Sequence, residues 1–333
     1  MKLTIAIPTY NRNTILKKNL EFILPELTAN CKLLILDNCS DIPVSESIKH
    51  ILNRFPDANV EIIRNRFNIG LTGNVLRCFE LCTTPWLWVL GDDDEVKNGA
   101  IEQIFSDIRK HKNLLFINYA WSPESLLRKE STVTKGIDNF LDSFENIGTI
   151  LFISSGIYNT IEINKKIAFG NFFQTTYAPH LAMVFLSIGN EGKCLLSREC
   201  IVINKSFDTP DKLKWDQIYI YQITGLLRLP LSPSAIHKLK KQLEPLTRVW
   251  TISHLITILV YIGYEEQSNL RTRILYDDIS RGFFYLDRRL QSKIILLVGF
   301  ILVRYPEIFK PFLRVIYKVA RGKEFEPIRN LRI

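Results

Sequence analysis

The chain has 333 residues, 47% hydrophobic and 23% charged, with 15 glycines and 14 prolines; this excludes collagen-like and disordered chains and supports one large domain or a domain with an appendage. The net charge of +9 is unevenly placed, with 18 Lys+Arg against 9 Asp+Glu over residues 231–333 and 25 of each before them. A basic tail therefore follows a balanced body, which argues against a nucleic-acid partner on the body and leaves an anionic surface open for the tail.

Over the first 120 residues short apolar runs alternate with amphipathic stretches, the βαβ pattern. Leu3 to Ile7 predicts a strand ended by Pro8. Thr14 to Leu27 predicts a helix, because Ile15, Leu16, Leu20, Ile23, Leu24 and Leu27 recur at helical spacing. A second strand runs from Lys32 to Leu36 and ends at Asp37, followed by a helix from Ser45 to Phe55. Val60 to Ile63 is a third strand, and Leu71 to Cys82 a helix with Thr72 available as N-cap. Trp86 to Leu90 is a fourth strand that leads straight into Gly91-Asp92-Asp93-Asp94, and a helix from Ala100 to His111 and a strand from Leu114 to Tyr119 complete the series. Right-handed crossovers make these a largely parallel sheet with its carboxyl ends on one side, where ligands bind. The expected class is α/β, a Rossmann-like, mostly parallel sheet flanked by helices.

After Trp121 the rhythm breaks, and Ser122 to Asn146 is polar. Leu151 to Tyr158 predicts a buried strand through Ser154, Ser155 and Gly156, Pro179 to Ile188 a helix, and Cys194 to Ile203 a strand. Beyond Leu231 the chain reads as helical and basic, with apolar runs at Leu255 to Ile262 and Ile294 to Val303. The six cysteines include no C-x-x-C pair, and the apolar part of the opening MKLTIAIPTYNR is about half a signal-peptide core, so a cytoplasmic, reducing setting is expected.

Three consecutive carboxylates after a buried strand, Asp92, Asp93 and Asp94, repel one another unless a cation joins them. Mg²⁺ or Mn²⁺ takes one or two carboxylates with phosphate oxygens completing the shell, the requirement of a nucleotide diphosphate; a solvated acidic turn fits the position equally well. Asp37 ends its strand at the same edge, where a carboxylate can accept from a nucleobase N–H or simply open the Asn38-Cys39-Ser40-Asp41 turn. Asn68 to Asn74 is a glycine-bearing loop entering a helix, suited to an anion or to capping.

In this order, Ile7 to Arg12 (IPTYNR), Asp37 to Ser40, Asn68 to Gly70 and Asp92 to Asp94 resemble the family 2 glycosyltransferases of the GT-A fold class. The resemblance is strong over residues 1–120, a nucleotide-sugar-binding half, and looser over 121–230, an acceptor-binding half; residues 231–333 form a separate basic, helical region. It implies that Pro8, Tyr10 and Arg12 belong to the donor pocket, that Asp37 reads the base, and that Asn68, Gly70, Gly73 and Asn74 shape the nucleotide side. It further implies that Asp92 or Asp93 holds the ribose or sugar, that Asp93 belongs to the catalytic residues, that Asp92 and Asp94 take the Mg²⁺ or Mn²⁺, and that displacement proceeds with inversion.

One feature of the family is missing. Many members carry a Glu-Asp pair in the acceptor half, but Phe172 to Leu181 contains no acid. His180, opening an apolar helix with a suitable ordinary pKa, is the first candidate for the base, or else a helix-start histidine bonded to backbone; Asp208, Asp211 and Asp216 are the acidic alternatives. Absence of Q-x-x-R-W favours a single addition. The GDDD ending and the PHL helix resemble the bacterial O-antigen and lipopolysaccharide branch that includes abequosyltransferases, which implies a CDP-linked dideoxyhexose or another pyrimidine nucleotide-sugar as donor and an undecaprenyl-diphosphate-linked glycan as acceptor. A catalytically inactive scaffold of the same fold and a nucleotide-sugar-forming nucleotidyltransferase are the rival readings. The second would open with a glycine-rich loop, which Ile7 to Arg12 is not, and no G-x-G-x-x-G follows strand one.

Ile294 to Val303 is ten apolar residues where a spanning helix needs about 20. Tyr305 to Lys318 interleaves aromatics with cations, as an interfacial helix on an anionic leaflet does; a bundle packed on the catalytic sheet with a basic outer face is the other reading. The expected location is peripheral, on the inner face of the cell membrane.

Overall fold

The structure, a computed structural model, describes residues 2–121, 128–144, 147–203, 222–248, 290–305, 312, 315, 318 and 319. The chain divides into two compact units, Met1–Asp208 with Leu229–Lys238, and Thr209–Arg228 with Leu239–Ile333.

In the first unit the predicted alternation is realised as β1 Leu3–Thr9, α1 Asn13–Ile23, β2 Cys31–Asp37, α2 Val44–Ser47, α3 Lys49–Leu52, β3 Val60–Arg64, α4 Leu71–Glu80, β4 Trp86–Val89, β5 Glu95–Val96, α5 Ala100–Lys110 and β6 Leu114–Ala120. There follow β7 Thr132–Lys135, α6 Ile137–Asp142, α7 Gly148–Leu151, β8 Gly156–Asn159, α8 Thr160–Ile163, α9 Ile167–Phe172, α10 Pro179–Ile188, β9 Lys193–Cys200 and β10 Val202–Ile203. The eight-stranded sheet has the order β3-β2-β1-β4-β8-β6-β9-β7, with β3, β2, β1 and β4 mutually parallel. The ends of these four strands, at Thr9, Asp37, Arg64 and Val89, therefore share one edge.

β1, β2 and β4 are buried on both faces, as parallel strands under helices are: β1 presents Leu3, Ile5 and Ile7, β2 Leu33 and Ile35, and β4 Trp86 and Trp88 to one cluster with Leu16, Leu20 and Ile23 of α1 and Ile101 and Ile104 of α5. Burying each such side chain contributes about 1.5–3 kcal/mol. The core under β1, β2 and β4 thus holds the site-bearing edge rigid.

Four local expectations are corrected. Ser45 to Phe55 is not one helix; the backbone leaves helical geometry at Ile48 (φ −103, ψ 0), which separates α2 from α3. Thr72 is not the N-cap of α4: that place belongs to Gly70, at φ 78, without a side-chain cap. Leu151 to Tyr158 is a strand only from Gly156, because Ile153–Ser155 turns as a 3-10 helix whose Ser154 carbonyl takes the Trp88 indole N–H at 2.8 Å. β8 then runs antiparallel between β4 and β6. Finally, the predicted strand Cys194 to Ile203 breaks after Cys200, and β10 leaves the main sheet to pair antiparallel with β5, directly after the acidic triplet.

In the second unit the helix Leu290–Arg304 contains the apolar run Ile294 to Val303. Leu255 to Ile262, Asp208, Asp211 and Asp216 lie outside the described residues, as does most of Tyr305 to Lys318.

Candidate functional site at the carboxyl edge

The site is assembled from three loops that leave the shared edge. After β1, Asn11 sits in the left-handed region (φ 54), a conformation asparagine tolerates. Its N–H donates to Ser40 Oγ at 2.9 Å, and its Oδ1 accepts the Asp41 N–H at 2.7 Å. The IPTYNR segment is thereby fastened to the turn after β2.

β4 delivers the acidic triplet. The Arg12 guanidinium grips two of its members, Nη1 at 2.7 Å from Asp92 Oδ1 and Nη2 at 2.7 Å from Asp93 Oδ2. The Thr9 hydroxyl donates to the other Asp92 oxygen at 2.7 Å. Burial opposes the charge on Arg12, but the three neighbouring carboxylates outweigh it and hold the guanidinium pKa above its ordinary value. Asp94 turns the other way and accepts from the Ser154 hydroxyl at 2.5 Å, while Ser154 Oγ accepts the Gly91 N–H at 2.8 Å. A Cβ at Gly91 would stand 2.3 Å from Asp94 Oδ2, so any larger residue there would displace that carboxylate.

Three carboxylates thus stand around one guanidinium. Mg²⁺ and Mn²⁺ are held by one or two carboxylates plus phosphate oxygens; Asp92 and Asp94 offer that donor type through carboxylates that also bond Arg12, Thr9 and Ser154. Among the described residues no group of three or more His, Cys, Asp or Glu side chains is arranged to hold an ion by itself. The arrangement suits a shared site rather than an all-protein cage.

Asp37 is held by the turn it opens. It is 1% exposed, its Oδ1 accepts the Ser40 N–H at 2.8 Å, and its Oδ2 accepts from Val44 N–H at 3.2 Å and Arg64 Nη1 at 2.7 Å. Both oxygens are engaged by the chain's own donors, so Asp37 organises the turn it opens.

The N-x-G segment is likewise carried by an asparagine cluster. Asn38 Nδ2 donates to Asn68 Oδ1 at 2.7 Å, and Asn38 Oδ1 accepts from Asn65 Nδ2 at 2.9 Å and from the Ile69 N–H at 3.0 Å. Asn65 also donates to Asn74 Oδ1 at 2.9 Å, and Asn74 Nδ2 to the Leu36 carbonyl at 3.1 Å. Asn74 and Gly73 are buried in α4, and Asn74 acts in packing; Asn68 is exposed and Gly70 has open space around it, so these two face solvent at the rim. Pro8, within β1, and Tyr10, directly after it, are half-buried.

His180 does not meet the requirements of a base. It is 3% exposed in the first turn of α10, edge-on to the Tyr158 ring at a centroid distance of 6.3 Å. Burial pushes its pKa down to about 4, against a smaller opposing pull from the Leu151 backbone. A base that accepts a proton near neutrality needs a pKa near the working pH and reach to the acceptor. The structure therefore gives His180 a packing role.

Ser154, Thr9, Asn38 and Asn65 were not singled out from the sequence. Thr9 stood inside IPTYNR and Asn38 inside the Asp37 turn, but nothing local marks Ser154, whose partner is 60 residues away.

Residues 4–167 match the family described as Glycosyl transferase family 2. An uncharacterized glycosyltransferase of Haemophilus influenzae is 28% identical over 138 residues, 41% of this chain and 44% of that protein. The GalNAc(5)-diNAcBac-PP-undecaprenol beta-1,3-glucosyltransferase of Campylobacter jejuni is 25% identical over 130 residues, 39% of this chain and 41% of that one. The chain thus spans less than half the length of these curated relatives. Among solved structures, S. aureus TarS 1–349 in complex with UDP-GlcNAc superposes with a TM-score of 0.58 at 10% identity, covering 98% of this chain and 93% of that one. The mannosyltransferase PcManGT from Pyrobaculum calidifontis, in complex with GDP-Man and Mn²⁺, gives a TM-score of 0.56 and covers 97% and 86%. At such identities the likeness establishes the fold, a GT-A-like sheet flanked by helices.

Proposed function

With residues 4–167 forming a glycosyl transferase family 2 domain, we propose that the protein transfers a single sugar from a nucleotide-sugar to a lipid-linked glycan. The observation that carries this reading is the acidic triplet at the carboxyl edge, clamped by Arg12 and Thr9 of the β1 loop and by Ser154. Residues 1–120 serve the donor and 121–230 the acceptor.

Asp92 and Asp94 are the carboxylates that would hold Mg²⁺ or Mn²⁺, which when bound supplies Lewis-acid and electrostatic relief to the departing diphosphate. Arg12 fixes Asp92 and Asp93, and Ser154 orients Asp94, so the charges are arranged before the reaction begins. The acceptor hydroxyl oxygen then bonds to the anomeric carbon as the bond from that carbon to the diphosphate oxygen breaks, with inversion. The hydroxyl proton passes to a base, for which Asp208, Asp211 and Asp216 are the candidates once His180 is set aside.

The finer reading is a pyrimidine donor, CDP-abequose or a related dideoxyhexose, and an undecaprenyl-diphosphate-linked acceptor of O-antigen or another surface polysaccharide. The acceptor class is supported by the undecaprenol-linked substrate in the name of the Campylobacter relative, and a nucleotide-sugar donor by the UDP-GlcNAc held by TarS. Work on such an acceptor is peripheral, at the inner face of the membrane.

Thermal unfolding of the full chain with CDP, UDP, GDP and ADP, each with and without Mn²⁺, tests the reading. A Mn²⁺-dependent rise in Tm with one nucleotide is expected. No rise with any nucleotide would overturn the reading and leave an inactive scaffold of the same fold.

A further inference from the structure

The helix Leu290–Arg304 shows the wrong face to solvent. Leu290, Ile294, Leu297, Val298 and Ile301 are all exposed, between 46% and 71%, and Tyr305 continues the row at 57%. At 100° per residue these positions share a stripe roughly 100° wide, the width by which an ordinary amphipathic helix meets its core. Phe300 at the margin is 38% exposed, whereas Leu296, on another side of the helix, is 6% exposed and buried. Beyond the helix, Phe312, Val315 and Val319 are exposed too, at the same three- and four-residue spacing.

We propose that this stripe is a docking surface for an anionic lipid leaflet. It deepens, and rests on, the peripheral placement proposed above. Fifteen residues make a helix about 22 Å long, short of the roughly 30 Å hydrocarbon core, and among the described residues no helix is long and apolar enough to cross a membrane. The stripe can therefore lie in an interface but not span one. Charge supplies the complement: from residue 290 onward the sequence carries nine Lys+Arg and three Asp+Glu, and Lys293 and Lys318 are exposed beside the apolar positions. Cations flanking an apolar stripe match anionic headgroups above acyl chains, with the lysine stems running along the apolar surface. A second copy of this chain would bury the apolar positions but would set these like charges against each other.

Sedimentation of the full chain with vesicles tests the surface. Binding to vesicles of phosphatidylcholine with phosphatidylglycerol is expected to exceed binding to pure phosphatidylcholine at least tenfold and to weaken with salt. The variant carrying Leu297→Glu and Ile301→Glu is expected to lose that binding at least tenfold while keeping the nucleotide-dependent Tm shift. Should the variant fail to fold, hydrogen exchange of the unaltered chain takes its place: anionic vesicles are expected to slow exchange over 290–305. No vesicle binding, undiminished binding by the variant, protection confined to other regions, or a dimer in light scattering that the variant dissolves would each overturn the proposal. A nucleotide shift without vesicle binding would sink this surface alone, and vesicle binding without any nucleotide shift would sink the donor reading alone.

Discussion

The Ser154 hydroxyl joins two strands' worth of site: it donates to Asp94 Oδ2 at 2.5 Å and accepts the Gly91 N–H at 2.8 Å, so the last member of the acidic triplet is aimed by a residue from the turn before β8. Asp94 is 4% exposed, and a carboxylate that deep depends on the donors it has.

Ser154→Ala is therefore expected to lower stability by about 1–3 kcal/mol and to weaken Mn²⁺-dependent nucleotide binding by roughly 10-fold or more, as loss of a ligand-orienting partner does. Titration of the nucleotide at fixed Mn²⁺ reads the second effect. Unchanged affinity would limit Ser154 to packing.

Asp94→Asn keeps the volume and the Ser154 contact but removes the charge. Transfer is expected to fall by roughly 100-fold or more with a Tm close to the parent's. Full activity in this folded variant would remove the metal role proposed for Asp94.

Arg12 is 38% exposed at its side chain while Asp92 is 4% exposed. Removing the guanidinium in Arg12→Ala takes one cation from both Asp92 and Asp93, at an expected cost of about 1–3 kcal/mol, reduced from the buried-pair range by solvent. Arg12→Lys should recover only part of this, because one ammonium does not span Asp92 and Asp93 as the fork does. Chemical denaturation of the three proteins gives the ranking.

Asp37→Asn tests the turn role. Losing the ionic partner of Arg64 and one strong acceptor is expected to destabilise by about 2–3 kcal/mol, without altering the preference between cytidine and uridine nucleotides. A changed preference at unchanged stability would return Asp37 to base recognition.

His180 makes stability depend on pH. Its folded pKa, about 4, lies below the ordinary value near 6.5, so the unfolded chain binds the proton first. Stability is full above about pH 6.5 and falls as pH drops towards 4, by about 3 kcal/mol over that window. His180→Leu should flatten this part of the pH profile and keep transfer within a few-fold of the parent. A hundredfold loss of transfer in a folded His180→Leu protein would make His180 the base after all.

The alternation of β1, β2, β3, β4 and β6 with helices could be read from the sequence alone, because those elements obey a local periodicity of burial: Leu3, Ile5 and Ile7 on a strand, Leu16, Leu20 and Ile23 on a helix; β5, two residues long, could not. The acidic triplet and the IPTYNR segment were legible for a related reason, since both sit at strand ends where a charged or turn-forming residue interrupts an apolar run. What only the tertiary structure decided are relationships between segments far apart in the chain. Asp37 is ion-paired because Arg64 lies beside it on β3, β8 enters the sheet antiparallel between β4 and β6, and Ser154 reaches Asp94 across 60 residues. A hydrogen bond across such a distance imposes no period and no composition on either segment, so it leaves no trace in the sequence until the sheet brings the two ends together.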